Sequence, residues 1–156
     1  MQKITPFLWF DNNAEEAVNF YVSTFKKSSV GAVMRYSEAA AAASGQPAGS
    51  VMTMAFKLNG QDFVALNGGP HFQFSEAISF IVNCDSQDEI DHYWNTLSAG
   101  GPAQAQQCGW LKDRYGVSWQ IVPVELPELI KKSPQVMEAM LKMKKIDLPA
   151  LKKAAT

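Results

Sequence analysis

Cysteine is scarce in this chain. Two residues, Cys84 and Cys108, are too few for a disulfide scaffold. Histidine is as rare: His71 and His92 lie far apart, and their spacing makes no metal-ligand pair. No stretch reaches the ~18 uncharged apolar residues of a membrane span, so no membrane partner is expected. The opening MQKITPFLWF lacks a basic segment followed by a long apolar one, so no secretory leader is expected. An excess of charge of either sign is lacking too. The formal net charge is −1, which gives no general attraction to nucleic acid. These absences describe a cytoplasmic protein with reduced thiols.

The near-zero charge hides an uneven distribution. From Lys131 onward seven lysines face only Glu138 and Asp147, a balance of +5 that leaves −6 on residues 1–130. Hydrophobic residues make up 47% and charged residues 19%, ordinary for a soluble globular protein. A chain of 156 residues buries roughly 70% of its unfolded surface, so folding requires no covalent staple.

ITPFLWF, from Ile4, reads as a strand that ends at DNN. Asn13 with Glu16 has the capping-box pattern, and Ala17, Val18, Tyr21 and Phe25 recur at helical spacing. Val30–Tyr36 reads as a strand and residues 38–50 as a flexible loop. Val51–Leu58 and Phe63–Leu66 flank Asn59-Gly60, the strongest hairpin signal in the chain. After the turn NGGP (67–70) the opening pattern returns. Ala77–Cys84 is a strand, Ser86 with Glu89 starts a helix, and Ile90, Trp94 and Leu97 mark its buried stripe. Gly100-Gly101-Pro102 stops that helix. Strands follow at 103–107, Trp110–Asp113 and Val117–Val122. In the tail, Ser133-Pro134 opens a helix carrying Val136, Met137, Met140 and Leu141, and Asp147 opens another.

The chain is thus an internal repeat. A shift of 74 residues pairs Ile4 with Ile78, Asp11 with Asp85 and Glu15 with Glu89; a shift of 56 pairs Phe63 with Trp119 and Val64 with Gln120. Each copy reads strand, helix, three strands, and half the chain is too little to close a core alone.

The segments FDNNAEEAVNFY (10–21), FVALNGGP (63–70), AISFIVNC (77–84), CGWLKDRYGVSWQIVP (108–123) and AMLKMKKIDLPAL (139–151) resemble the vicinal oxygen chelate superfamily. That superfamily includes glyoxalase I, extradiol dioxygenases and bleomycin-resistance proteins. The finer match is to its PhnB-like branch, labelled 3-demethylubiquinone-9 3-methyltransferase. The resemblance implies an α+β fold, with two βαβββ modules forming a cup-shaped mixed sheet and helices outside. Residues 1–124 form that domain, with modules at about 1–70 and 71–124, and residues 125–156 a C-terminal helical extension. It also implies a homodimer, and Met137, Met140, Leu141 and Met143 in the tail lead to the expectation that the segment after Glu125 makes part of its interface.

Metal-using members place four ligands in the cup, and the ion chelates vicinal substrate oxygens as a Lewis acid. Here the equivalent positions fall on Ile4, Ile78, Val64 (or Ala65, with the register one residue on) and Gln120. Three carry no donor atom, and a neutral amide alone is a poor ligand for a catalytic first-row metal. No metal and no cofactor are therefore expected. The methyltransferase label meets a similar obstacle. NGGP and SAGGP, residues 98–102, are not glycine turns between a strand and a helix, where the common doubly wound methyltransferases hold their donor.

Alternation along the strands extends the resemblance. With Ile4 and Gln120 facing the cup, so should Pro6, Leu8, Val64, Leu66, Phe80, Val82 and Ser118, while Phe7, Trp9, Phe63, Ile81 and Trp119 go under the helices. Trp110 lines the mouth or joins the core. Such a face either binds a small apolar or aromatic molecule, with Gln120 and Ser118 as polar handles, or is simply filled by side chains. The competing class is an enzyme of the same superfamily, of metal-dependent lyase or dioxygenase type, or the methyltransferase of the family label. Cys108 has no basic neighbour in sequence to activate it. Asp113 is expected to cap the Asp-x-Tyr-Gly turn.

Overall fold

The apolar run after Pro6 forms strand β1 (Phe7–Phe10) in the computed structural model, which describes residues 2–156. The chain is an α+β protein with two small mixed sheets and helices at its C-terminal end. It divides into two compact units, one ending at Gln73 and the other spanning Phe74–Thr156.

The first unit continues through α1 (Ala14–Thr24), β2 (Ser29–Arg35), α2 (Glu38–Ser44), β3 (Val51–Leu58) and β4 (Gln61–Asn67). Its sheet runs β1-β4-β3-β2, with β1 parallel to β4 and the other pairs antiparallel. The β3–β4 hairpin closes at Asn59 and Gly60 with φ of 49° and 81°, the two positive values that a type I′ turn requires. Helix α1 buries Ala17, Val18 and Tyr21 completely. The Tyr21 ring lies 6.5 Å from Phe56, which stacks 5.3 Å from Phe63. The face of Phe56 and Phe63 is thus the one that α1 covers.

The start of α1 is held from a distance. Asn13 occupies the cap position but its side chain makes no cap bond. Asn67, on β4, does the work instead: its Oδ1 accepts from the Ala14 amide at 2.9 Å. Its Nδ2 donates to Glu15 Oε1 and to the Val51 carbonyl, both at 3.2 Å, and its own carbonyl accepts from the Tyr36 hydroxyl at 2.5 Å. The whole amide is satisfied in a nearly buried position, as a buried Asn demands. Sequence windows see only near neighbours, and this cap is 53 residues away.

Where a loop was expected at 38–50, the structure places α2. Ser37 Oγ accepts from the Ala40 amide at 3.1 Å, and Gly45 closes the helix at φ 79°. The alanine run between these caps favours helix over coil.

The second unit holds β5 (Ser79–Cys84), α3 (Gln87–Ser98), β6 (Trp110–Lys112), β7 (Ser118–Pro123), α4 (Leu126–Lys132), α5 (Pro134–Leu141) and α6 (Leu148–Ala154). The expected capping of α3 is present. Ser86 Oγ accepts from the Glu89 amide at 3.2 Å, and Glu89 Oε1 accepts from the Asp85 amide at 2.6 Å. The sheet order is β5-β7-β6, three strands where four were expected. The missing one is the strand expected at 103–107, whose first part is a 3₁₀ turn, Ala103–Ala105, with a lone bridge from Gln107 to Trp110. The sequence AQAQQ has no β-branched or aromatic residue and no apolar face to bury, so nothing draws it into the sheet.

The repeat survives this loss at the level of register. In the first sheet Phe7 pairs with Val64, Leu8 with Ala65 and Trp9 with Leu66. In the second, Ile81 pairs with Gln120, Val82 with Ile121 and Asn83 with Val122. The shifts of 74 and 56 carry each of the first pairs onto one of the second.

The tail is tied into its own unit by backbone. The Cys108 and Gly109 amides donate to the Met143 and Lys144 carbonyls, both at 2.8 Å. Ser133 and Asp147 cap α5 and α6 through their side chains, and Val136, Ile146 and Leu151 are fully buried. Among the described residues no helix is long and apolar enough to cross a membrane.

Candidate functional site

Residues paired across neighbouring strands share a face of the sheet, and this assigns each expected site residue. In the second sheet one face carries Phe80, Val82, Trp119, Ile121 and Leu111. The Phe80 and Trp119 rings sit 5.5 Å apart, and α3 covers this side with Ile90, Tyr93, Trp94 and Leu97. The opposite, open face carries Ser79, Ile81, Ser118, Gln120, Trp110 and Lys112.

Gln120, Ser118 and Trp110 therefore come together as expected, but Phe80 and Val82 do not join them: they point under the helix. In the first sheet Val64 and Leu66 share the open face with Phe7 and Trp9, whereas Leu8 lies with Ala65 on the side that α1 covers. Alternation starting at Ile4 and Ile78 predicts the opposite faces, but both lie in bends before their strands start, and a period of two does not carry through a bend. Leu8, Phe80 and Val82 therefore lie on the helix-covered faces, and Phe7, Trp9 and Ile81 on the open ones. A local signal existed in β5. Ser79 and Asn83 are polar at the same parity as Ile81, which marks the open side.

The open face of the second sheet carries a buried hydroxyl without a partner among the described residues. Gln120 Nε2 donates to Ser79 Oγ at 2.9 Å, which orients the amide along the face. Ser118 is 2% exposed, and its hydroxyl finds no hydrogen-bond partner among the described residues. Next to it, Lys112 pairs with Glu76, whose carboxyl is held below its usual range by that ammonium. Trp110 supplies an apolar flank beside Gln120. The arrangement offers a hydroxyl and an amide oxygen between the apolar Ile81 and Trp110 on one side and the Lys112–Glu76 pair on the other.

The other candidates have contacts of their own. Asp113 caps its turn as expected, with Oδ1 accepting from the Tyr115 and Val117 amides at 2.8 and 3.0 Å. Its Oδ2 accepts from Trp119 Nε1 at 2.9 Å. Burial, reinforced by the charges of Glu89 and Asp85, pushes the Cys84 thiol up to about 12, so it stays protonated and unreactive. Cys108 takes φ 53° in the turn before β6, and Gln107 Nε2 donates to its sulfur at 3.4 Å. His71 lies edge-on to Trp9 and His92 edge-on to Tyr93.

The donor set does not fit a catalytic metal. Ile4 is 85% and Ile78 73% exposed in their bends, Ile4, Ile78 and Val64 have no donor atom, and Gln120 offers only a neutral amide oxygen. Among the described residues no three His, Cys, Asp or Glu side chains cluster. Nor do the glycines fit a strand-to-helix cofactor turn. Gly68 and Gly69 lead from β4 into a turn, and Gly100 and Gly101 follow α3.

Comparison with known proteins shows the family. The family model described as 3-demethylubiquinone-9 3-methyltransferase matches residues 2–122. A solved structure described as a putative 3-demethylubiquinone-9 3-methyltransferase, PhnB protein, from Bacillus cereus is 36% identical. The match covers 78% of this chain and 99% of that one, with a TM-score of 0.67. A protein from Pseudomonas aeruginosa shares the fold at 22% identity, over 79% of this chain and 98% of its own, with a TM-score of 0.58. None of the curated proteins compared with the chain matches it. With the family model spanning both sheets and the register repeated between them, the chain belongs to the 3-demethylubiquinone-9 3-methyltransferase family, of the PhnB-like type.

Proposed function

We propose that this protein binds a small, largely apolar or aromatic molecule without a metal, against the open face of β5, β7 and β6. The observation that carries this reading is the Ser118 hydroxyl, buried with no partner among the described residues and two positions from Gln120 on the same face. A buried polar group without a partner costs about 1–3 kcal/mol, and a ligand oxygen or N–H there recovers that cost. Trp110 and Ile81 flank these polar groups with apolar surface, the usual composition of a small-molecule site. The family description names a demethylubiquinone methyltransferase, so aromatic and quinone-like compounds are the first class to test. Methyl transfer itself receives no support from the glycine loops.

The test is a thermal-shift screen of aromatic and quinone-like compounds, with each hit repeated on two variants. Gln120→Leu keeps the fold and weakens binding by about 0.5–1.5 kcal/mol, roughly a two- to twelvefold rise in Kd. Ile81→Trp fills the open face beside Gln120 and abolishes the shift. A hit that survives both variants unchanged places the ligand elsewhere and contradicts the reading.

We propose also that the protein pairs as a homodimer through its C-terminal helices. Met137 and Leu141 on α5 are 38% and 56% exposed, and apolar surface of this kind favours association. Light scattering at micromolar concentration is expected to give the mass of two chains, and removal of residues 132–156 a monomer or an insoluble protein. A full-length chain that scatters as a monomer contradicts the proposal.

A further inference from the structure

A second candidate site lies wholly within the first unit. A cavity of about 320 Å³ is lined, among others, by Glu15 at the start of α1, Arg35 at the end of β2, Gln46 and Ser50 in the loop after α2, and Val51 and Asn67 on the sheet. This volume is at the small end of the roughly 300–1,000 Å³ typical of ligand pockets.

Its walls are built by specific local features. The β2–β3 ladder is irregular between Met34 and Arg35, and such a shift re-aims the side chain that follows it. Arg35 Nη1 donates to the Gly49 carbonyl at 3.1 Å, which docks the guanidinium on the loop. A guanidinium has five N–H donors, so most of the fork stays available. Glu15 is oriented from below by Asn67 Nδ2 at 3.2 Å, and Asn67 is itself locked by the Ala14 amide and the Val51 carbonyl.

Arg35 and Glu15 thus line one small cavity with opposite charges, yet neither takes part in an ion pair among the described residues. The Gln46 side chain, also lining the cavity, makes no hydrogen bond among the described residues. A planar guanidinium suits a carboxylate in two-point contact, and a carboxylate fixed by an amide suits an ammonium. We propose that this cavity binds a small zwitterion built like an α-amino acid. Its carboxylate sits on Arg35, its ammonium on Glu15, and Gln46 and Ser50 supply further polar contacts. The site shares no lining residue with the open face of β7 and does not rest on the reading given for it.

The test is a titration of the ¹⁵N-labelled full chain with each standard amino acid, followed by amide NMR. Propionate and propylamine serve as probes carrying one charge each. At least one amino acid is expected to shift the amides of Arg35, Gly49, Ser50 and Asn67 and to saturate. Propionate and propylamine are expected to bind about tenfold more weakly or worse, and Arg35→Met or Glu15→Gln to lower the amino acid's affinity by about tenfold. Both side chains are exposed, and Gln at 15 keeps an acceptor for Asn67, so the variants are expected to keep the wild-type spectrum elsewhere. Gln120→Leu leaves this titration unchanged. No saturating shift from any amino acid overturns the proposal. So does binding that survives Arg35→Met, and so does propionate binding as tightly as the amino acid.

Discussion

Gly101→Ala is expected to unfold the second unit or to weaken it by about 3 kcal/mol or more. A Cβ built at Gly101 lies 2.1 Å from the Lys112 carbonyl oxygen and 3.2 Å from the Asp113 backbone, well inside the ~3.5–4 Å of ordinary contact. Both neighbours are main chain, so no rotamer change relieves the clash. Movement of residues 100–102 strains the Gly101 amide bond to the Ser98 carbonyl at 3.0 Å, and movement of β6 breaks the pairing of Lys112 with Ser118. Gly45→Ala is the control. Nothing lies within 4 Å of a Cβ there, and the cost is only that of placing a side chain at φ 79°, about 1–2 kcal/mol. Urea unfolding of both variants separates the two causes. If Gly101→Ala is as mild as Gly45→Ala, the close approach of the α3 terminus to β6 is wrong.

Asp113→Ala carries the second large effect, about 3–5 kcal/mol. The residue is 1% exposed, and its carboxylate serves the Tyr115 and Val117 amides and the Trp119 indole N–H. Truncation strands the Val117 amide and the Trp119 N–H in buried surroundings, and each stranded donor costs about 1–3 kcal/mol. Asp113→Asn keeps one oxygen for the turn but presents an NH₂ to the indole donor, so it falls between wild type and Ala. Unfolding followed by tryptophan fluorescence gives the order. Equal stability of Asp113→Ala and wild type contradicts the role assigned to this carboxylate.

Much of the fold was legible because its signals are local. Asn59-Gly60 marks its hairpin, Ser86 with Glu89 caps α3, and Ser133 and Asp147 open their helices. The repeat was legible because paired strands drift together, and the two shifts reproduce the register of both parallel pairs. Faces were harder to read. β1 is apolar at all four positions, so FLWF holds no contrast between its sides, and a count begun in a bend chose the wrong one for Leu8. Helix α2 was missed because small residues were read as flexible, although alanines between Ser37 and Gly45 are capped helix. The Asn67 cap and the cavity that Arg35 and Glu15 both line join residues distant in sequence, which no short window on the chain contains together. For the open face of β7, Gln120 and Ser118 were legible as polar interruptions of an apolar strand. Ser79 was not, because its role comes from pairing across to β7.

This chain has the two-sheet fold of its family, and the central proposal is that Ile4, Ile78, Val64 and Gln120, the positions that the resemblance equates with metal ligands, do not hold a metal. Elemental analysis of the purified full-length protein, prepared without chelator, tests it most directly. The expected result is no nickel, zinc, iron or manganese in stoichiometric amount. One such ion per chain, lost on Gln120→Leu, would contradict the account.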